Sequence, residues 1–217
     1  SVKDFSEIYE TLQQHNVSFL SVKESFDTST PMGRTVMYIL SAFAQLEREN
    51  TAERVADNMA SLGEAGKWTG GTLPPGMTSV RKKIGDKTHS YLIVDEQRIK
   101  TVKYIFSLML SGTSITKLEH TLRQDGIRTE RDAFYSCSKL YNLFTNPVYC
   151  ANDMDAYYYF LEKGYKLPDP ALFDGRHGLI GYGRTTQSNG TTVRKDTYSI
   201  AIGIHDPILS GADWIAI

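Results

Sequence analysis

One stretch limits the possible folds more than any other. After Ser29-Thr-Pro-Met-Gly-Arg34, apolar residues recur at helical spacing, at Val36, Ile39, Leu40, Phe43 and Leu46 and again at Ala52, Val55, Ala56, Met59 and Leu62. No glycine or proline interrupts before Gly63 and Gly66. Thr30 suits an N-cap, because its hydroxyl can take one of the unbonded first-turn amides, and Pro31 suits the first helical position. A helix of about 32 residues would be roughly 48 Å long. That is more than one small domain covers, so part of it must pack on another chain or cross open space.

The flanking segments read as different structures. Val2 to His15 has helical spacing, and Val17-Ser-Phe-Leu-Ser-Val22 alternates like a strand. A single helix–strand pair cannot bury both faces of an α/β sheet, so the chain is expected to begin inside a domain. Gly66-Lys-Trp-Thr-Gly-Gly-Thr-Leu-Pro-Pro-Gly76 has no periodicity and reads as a linker. Ser79 to Val94 reads as a hairpin across Gly85-Asp86. Asp95 can cap a helix carrying Ile99, Val102, Ile105 and Phe106 that ends at Gly112. A second helix carries Leu118 and Leu122 and closes at Gly126, and a third runs from about Ser136 to Thr145 before Pro147. Two short helices with a polar connection, the second exposing Ser138, Lys139, Tyr141 and Asn142, form a helix-turn-helix pattern. Beyond residue 150, Asn152 can cap a helix, 181–186 and 192–204 read as strands around Ser188-Asn-Gly190, and Gly211 opens a short helix. The fold class expected is mixed α+β and helix-rich.

Charge is uneven along the chain. Residues 1–66 carry five Lys/Arg against ten Asp/Glu, residues 67–150 thirteen against seven, and residues 151–217 six against eight. A basic middle between acidic flanks points to a polyanion met by one segment. No apolar run is long enough to span a bilayer. Cys137 and Cys150 lack CxxC spacing, which suits a reducing cytoplasm. The five histidines are scattered, so no metal site is expected, and no GxxxxGK[ST] nucleotide cradle is present. Tyr157-Tyr-Tyr159 reads as packing rather than as a base-stacking platform.

Phe26-Asp27-Thr-Ser-Thr-Pro-Met-Gly-Arg34, with Ile39-Leu-Ser-Ala-Phe-Ala-Gln-Leu-Glu-Arg48 and Glu53-Arg54, resembles the C-terminal part of a serine recombinase catalytic domain. Gly70-Gly-Thr-Leu-Pro-Pro-Gly76 resembles the linker that follows in large serine recombinases (serine integrases), although Met77 stands where an aromatic is usual. Ile105-Phe106, Gly112, Leu122, Gly126-Ile127, Thr129 and Leu143-Phe-Thr-Asn-Pro-Val-Tyr149 resemble their recombinase domain, and His205-Asp-Pro-Ile208 the opening of their zinc-ribbon domain. The resemblance is weakest over 151–204. It implies a division into 1–66, the end of a resolvase-type α/β domain with its long helix; 67–77, a linker; 78–150, a DNA-binding domain with the helix-turn-helix; and 151–217, a small β-containing extension and the start of a zinc ribbon without its cysteines.

The resemblance also implies what the chain does. The intact family enzyme, bacterial or phage-encoded, cuts both strands of attachment-site DNA through a phosphoserine bond, exchanges ends by rotation and rejoins them without a cofactor, to integrate or excise a mobile element. Its nucleophilic serine and phosphate-clamping arginines belong upstream of position 1, so residues 1–217 are expected to bind DNA without cutting it. Arg48, Glu53 and Arg54 match supporting positions on the long helix. DNA contacts are expected from Lys67, Trp68 and Thr69 along the backbone and minor groove, from Arg81, Lys82 and Lys83 at phosphates, and from Ser138, Lys139, Tyr141 and Asn142 at major-groove edges. The long helix is expected to join subunits into dimers and tetramers. The residues alone leave two alternatives open. One is a helix-turn-helix regulator that dimerises through the long helix, and the other is a coiled-coil protein that ignores DNA.

Overall fold

The computed structural model of the chain describes residues 11–12, 14–15, 17–21, 26–188 and 191–217. They divide into two compact units, the first ending at Asn58 and the second beginning at Met59. The architecture is mixed α and β, with one long helix, shorter helices and two-stranded sheets, as the sequence led us to expect.

In the first unit, β1 (Leu20–Ser21) pairs antiparallel with β2 (Phe26–Asp27). Buried Thr28 pins the pair, because its hydroxyl accepts from Phe19 N at 2.7 Å and donates to Phe19 O at 3.0 Å. Helix α1 (Pro31–Glu64) starts where expected. Thr30 Oγ1 accepts from Gly33 N at 2.9 Å, and Arg34 Nη1 donates to the carbonyls of Thr28 and Ser29. Gly33 is required here by proximity, since a Cβ at that position would overlap the Asp27 carbonyl. Past Met37, which is 3% exposed, the apolar residues of α1 stand open: Leu40, Leu46 and Val55 are exposed, and Phe43 is 64% exposed. Of the helix expected over 2–15, Thr11, Leu12 and Gln14 are helical. Residues 2–10 and 13, like Val22 and Asn189-Gly190, lie outside the described residues.

The second unit carries the main core. Its hairpin, β3 (Met77–Ile84) and β4 (Lys87–Val94), turns at Gly85-Asp86 as expected, with Ile84 opposite Lys87. Asp95 then accepts from the amides of Gln97 and Arg98, ahead of α2 (Ile99–Leu110). The three helices follow from apolar spacing and caps. Helix α2 buries Ile99, Val102, Ile105 and Phe106. Helix α3 (Ile115–Gln124), capped by Ser114, buries Leu118 and Leu122. Helix α4 (Cys137–Phe144), capped by Ser136, buries Leu140, Leu143 and Phe144. Burial of such side chains stabilises the fold by about 1.5–3 kcal/mol each. Phe106 sits at the centre, with ring centroids 5.5 Å from Phe144 and 5.2 Å from Tyr149.

Residues on both sides of position 150 share this core, from Met77 to Trp214. Helix α5 (Met154–Glu162) is capped by Asp153, whose carboxylate accepts from Ala156 N, and not by Asn152 as the sequence suggested. Asn152 is buried instead, with its amide accepting from His177 N and donating to Leu172 O and Asp174. Asp153 also accepts from Gly211 N, which ties α5 to α6 (Gly211–Ala216). Where two strands were expected after 180, the described residues form four. Strand β5 (Leu179–Tyr182) pairs with β8 (Ser199–Ile202), and β6 (Thr185–Ser188) with β7 (Thr191–Arg194). The tyrosine triplet splits between packing and exposure. Tyr157 lies against Phe173 and Tyr159 against Trp214, while Tyr158 is exposed. His205 is buried with Nε2 2.8 Å from Val148 O, and desolvation holds its pKa below the ordinary value, which favours the neutral ring. No helix among the described residues is long and apolar enough to cross a membrane.

Candidate nucleic-acid interface

The segment from Lys67 to Gly76 lacks regular structure, yet it is tied to the rest of the second unit along its length. Trp68 N donates to Ser90 O at 2.8 Å, and Tyr149 OH donates to Pro75 O at 2.8 Å. Gly76 N donates to Glu130 Oε1 at 3.1 Å. Met77, at the position where an aromatic is usual in the resembling family, is wholly buried among core residues. Backbone groups in a loop must find partners or face water. Here hydrogen bonds to β4, to the turn before α4 and to Tyr149 hold the strap in place.

Between this strap, helix α4 and the β5–β6 turn lies a cavity of about 770 Å³. Trp68, Thr69 and Thr72 line it from the strap, Lys139, Asn142 and Asn146 from α4 and its end, and Arg184 from the turn. Its charged lining residues are Lys139 and Arg184, both cationic. Lys139 Nζ donates to Phe134 O at 2.9 Å while staying exposed. Lys139 and Asn142 are three residues apart, so they share one face of α4. That face is fixed from behind by Leu140, Leu143 and Phe144.

The N-terminus of α4 is held by Glu119 of α3. Its Oε2 accepts from Cys137 N at 3.1 Å and from Cys137 Sγ at 2.9 Å. The thiol hydrogen bond holds the Glu119 carboxyl below the usual range, and the same contact pushes the Cys137 thiol up. A carboxylate there also favours the positive end of the helix. Glu119 thus joins α3 to α4 by polar as well as apolar contacts, and Arg123, one turn further along α3, pairs with it at 3.3 Å.

The structure thus brings Trp68, Thr69, Lys139 and Asn142 to one groove. Ser138 and Tyr141 are exposed on α4, Tyr141 at 62%, but do not line it. Lys67 is half-buried at the start of the strap. Arg81, Lys82 and Lys83 project from the exposed tip of the β3–β4 hairpin, opposite Ser90, His89 and Thr88. Because strand side chains alternate, Lys82 faces away from the other two, with Nζ 5.9 Å from the Tyr91 ring centroid. Arg48, Glu53 and Arg54 are exposed on α1, and Arg48 Nε donates to Ala44 O of its own helix. Sequence reasoning missed Asn146, Arg184 and Glu119. Arg184 lay in the least legible part of the chain, and the Glu119 contact spans eighteen residues.

Residues 1–68 match the family model described as the resolvase N-terminal domain, and residues 96–217 match the model described as recombinase. The chain belongs to the large serine recombinase family. It is similar to the serine recombinase gin of Escherichia phage Mu, at 35% identity over 36% of this chain and 39% of that protein. The DNA-invertase of Escherichia phage P1 is 34% identical over 34% of this chain and 39% of the relative. The transposon Tn917 resolvase of Enterococcus faecalis is 32% identical over 37% and 43%. The matches thus span about two-fifths of each relative's length. A solved structure described as a crystal structure of an LSR–DNA complex is 18% identical, with a TM-score of 0.39, over 75% of this chain and 35% of that one.

Proposed function

We propose that residues 1–217 supply DNA-binding and assembly parts of a site-specific recombinase that integrates or excises a mobile element by double-strand cleavage and strand exchange. The observation that carries this is the groove, where the strap meets the outer face of α4 and every charged lining residue is a cation. In this reading Asn142 and Lys139 reach base edges, while Ser138 and Tyr141 touch the flanks of the site. Lys67, Trp68 and Thr69 follow the DNA backbone, and the Arg81–Lys83 tip takes phosphates further along the duplex. Arg48, Glu53 and Arg54 support a cleavage centre whose nucleophile we assign to no serine of these 217 residues. We divide the chain into a catalytic-domain part at 1–66, the strap at 67–77, a DNA-binding part at 78–150 and an extension at 151–217 that shares its core. Cys137 and Cys150 are free thiols, in keeping with work in a reducing cytoplasm.

The test uses a duplex selected by the protein from a random-sequence pool. The chain should retain the selected duplex at concentrations at least tenfold below those needed for a scrambled one, the low end of a base-reading contact, and should leave no covalent protein–DNA bond. Equal retention of both duplexes, or a covalent adduct, contradicts the proposal.

We further propose that α1 joins two copies of the chain. Its exposed Leu40, Phe43 and Leu46 form a run of apolar surface that isolated helices seldom leave in water. Phe43→Asp would bury a charge at such a contact, which is costly without a partner. Light scattering across a concentration series should show the parent chain associating and Phe43→Asp shifted toward monomer. A parent chain that stays monomeric at the highest concentration rules out this surface.

A further inference from the structure

The strands β5 to β8 lie where the resemblance is weakest. We propose that the β5–β6 turn forms the second wall of the DNA groove, with Arg184 as its phosphate-binding residue. The inference rests on the DNA-binding reading and deepens it.

The guanidinium of Arg184 is positioned by three neighbours. Its Nη2 donates to Asn146 Oδ1 at 2.9 Å, and its Cζ lies 5.0 Å from the Tyr198 ring centroid. The third neighbour is Gly181, where a Cβ would stand 2.8 Å from Nη2 and 2.5 Å from the Tyr198 ring. Glycine at 181 therefore leaves the slot in which the guanidinium lies between strand and ring. Asn146 lies two residues past the end of α4, and its Oδ1 also accepts from Val148 N at 3.3 Å. The arginine is thus coupled to the end of the helix that carries Lys139 and Asn142.

A cation held this way loses less side-chain entropy on binding than a free one. A guanidinium carries its donors in a planar fork; Asn146 Oδ1 takes one on Nη2 and Nε is buried, so a phosphate would meet this one along its Nη1–Nη2 edge. Lys139 brings a second positive charge to the same groove, and no carboxylate lines it. A phosphodiester backbone fits that balance.

The test is fluorescence anisotropy of the full 217-residue chain on the selected and the scrambled duplex, each across a salt series. Arg184→Ala should weaken binding to both duplexes by a similar factor, roughly tenfold, and should lower the slope of log affinity against log salt by about one. Arg184→Gln keeps the stem and an amide donor, so it controls for lost packing on Tyr198. It should show the same fall in slope with a melting temperature close to the parent's. Arg184→Lys should fall between, because it keeps the charge and loses the fork. Parental affinity and slope in both Arg184→Ala and Arg184→Gln overturn the assignment. So does a loss confined to the selected duplex, which would make Arg184 a base reader. A parent chain that binds neither duplex defeats the DNA-binding reading itself, an outcome distinct from both.

Discussion

Phe106→Ala should lower the stability of the chain by about 3–5 kcal/mol, the usual cost of emptying a buried aromatic site. Phe106 is 1% exposed and touches the rings of Phe144 on α4 and Tyr149 beyond it. Each of those partners belongs to a segment that shapes the groove. Phe144 backs the outward face of α4, and Tyr149 holds the strap through Pro75. The void left by the ring would therefore loosen α4 and the strap at once. Urea unfolding followed by tyrosine and tryptophan fluorescence measures the loss. DNA affinity should fall even where the chain is still folded, because the walls are no longer pre-set. A loss under about 1 kcal/mol would mean that the site collapses easily and that the groove does not depend on this ring.

Asn142→Ala should cost about 1–3 kcal/mol on the selected duplex and little on the scrambled one. Asn142 is exposed, so its removal opens no cavity, and it shares a face of α4 with Lys139. An amide side chain can pair with a base edge in two places, and that contact is lost whole when the side chain goes. Competition anisotropy with the two duplexes separates the terms. Equal losses on both would make Asn142 a backbone contact.

How much of this was legible in the sequence varied with the range of the interactions. Thr30-Pro31 marked the start of α1, and Gly85-Asp86 the hairpin turn, because caps and turns are set by neighbouring residues. The apolar spacing of α2, α3 and α4 gave their buried faces. The groove was partly legible: Lys139 and Asn142 followed from the inward set Leu140, Leu143 and Phe144. What failed depends on contacts between distant parts of the chain. Asn152 looked like a cap because it precedes a helix, but its amide serves 172–177, and Asp153 does the capping. Glycine and proline made 66–76 read as free linker, while its bonds to Ser90, Glu130 and Tyr149 come from residues up to seventy-four positions away. Arg184 reaches Asn146 across thirty-eight positions, and no local pattern announces it.

On the function proposed above, this chain meets DNA as a polyanion through a cationic groove and hairpin tip. The most direct measurement is the affinity of the parent chain for its selected duplex as salt rises. Lys67, Arg184 and the Arg81–Lys83 tip together allow about five phosphate contacts. Release of the matching counterions should lower affinity roughly five-hundredfold between about 50 and 200 mM salt. An affinity that stays flat across that range would contradict the account.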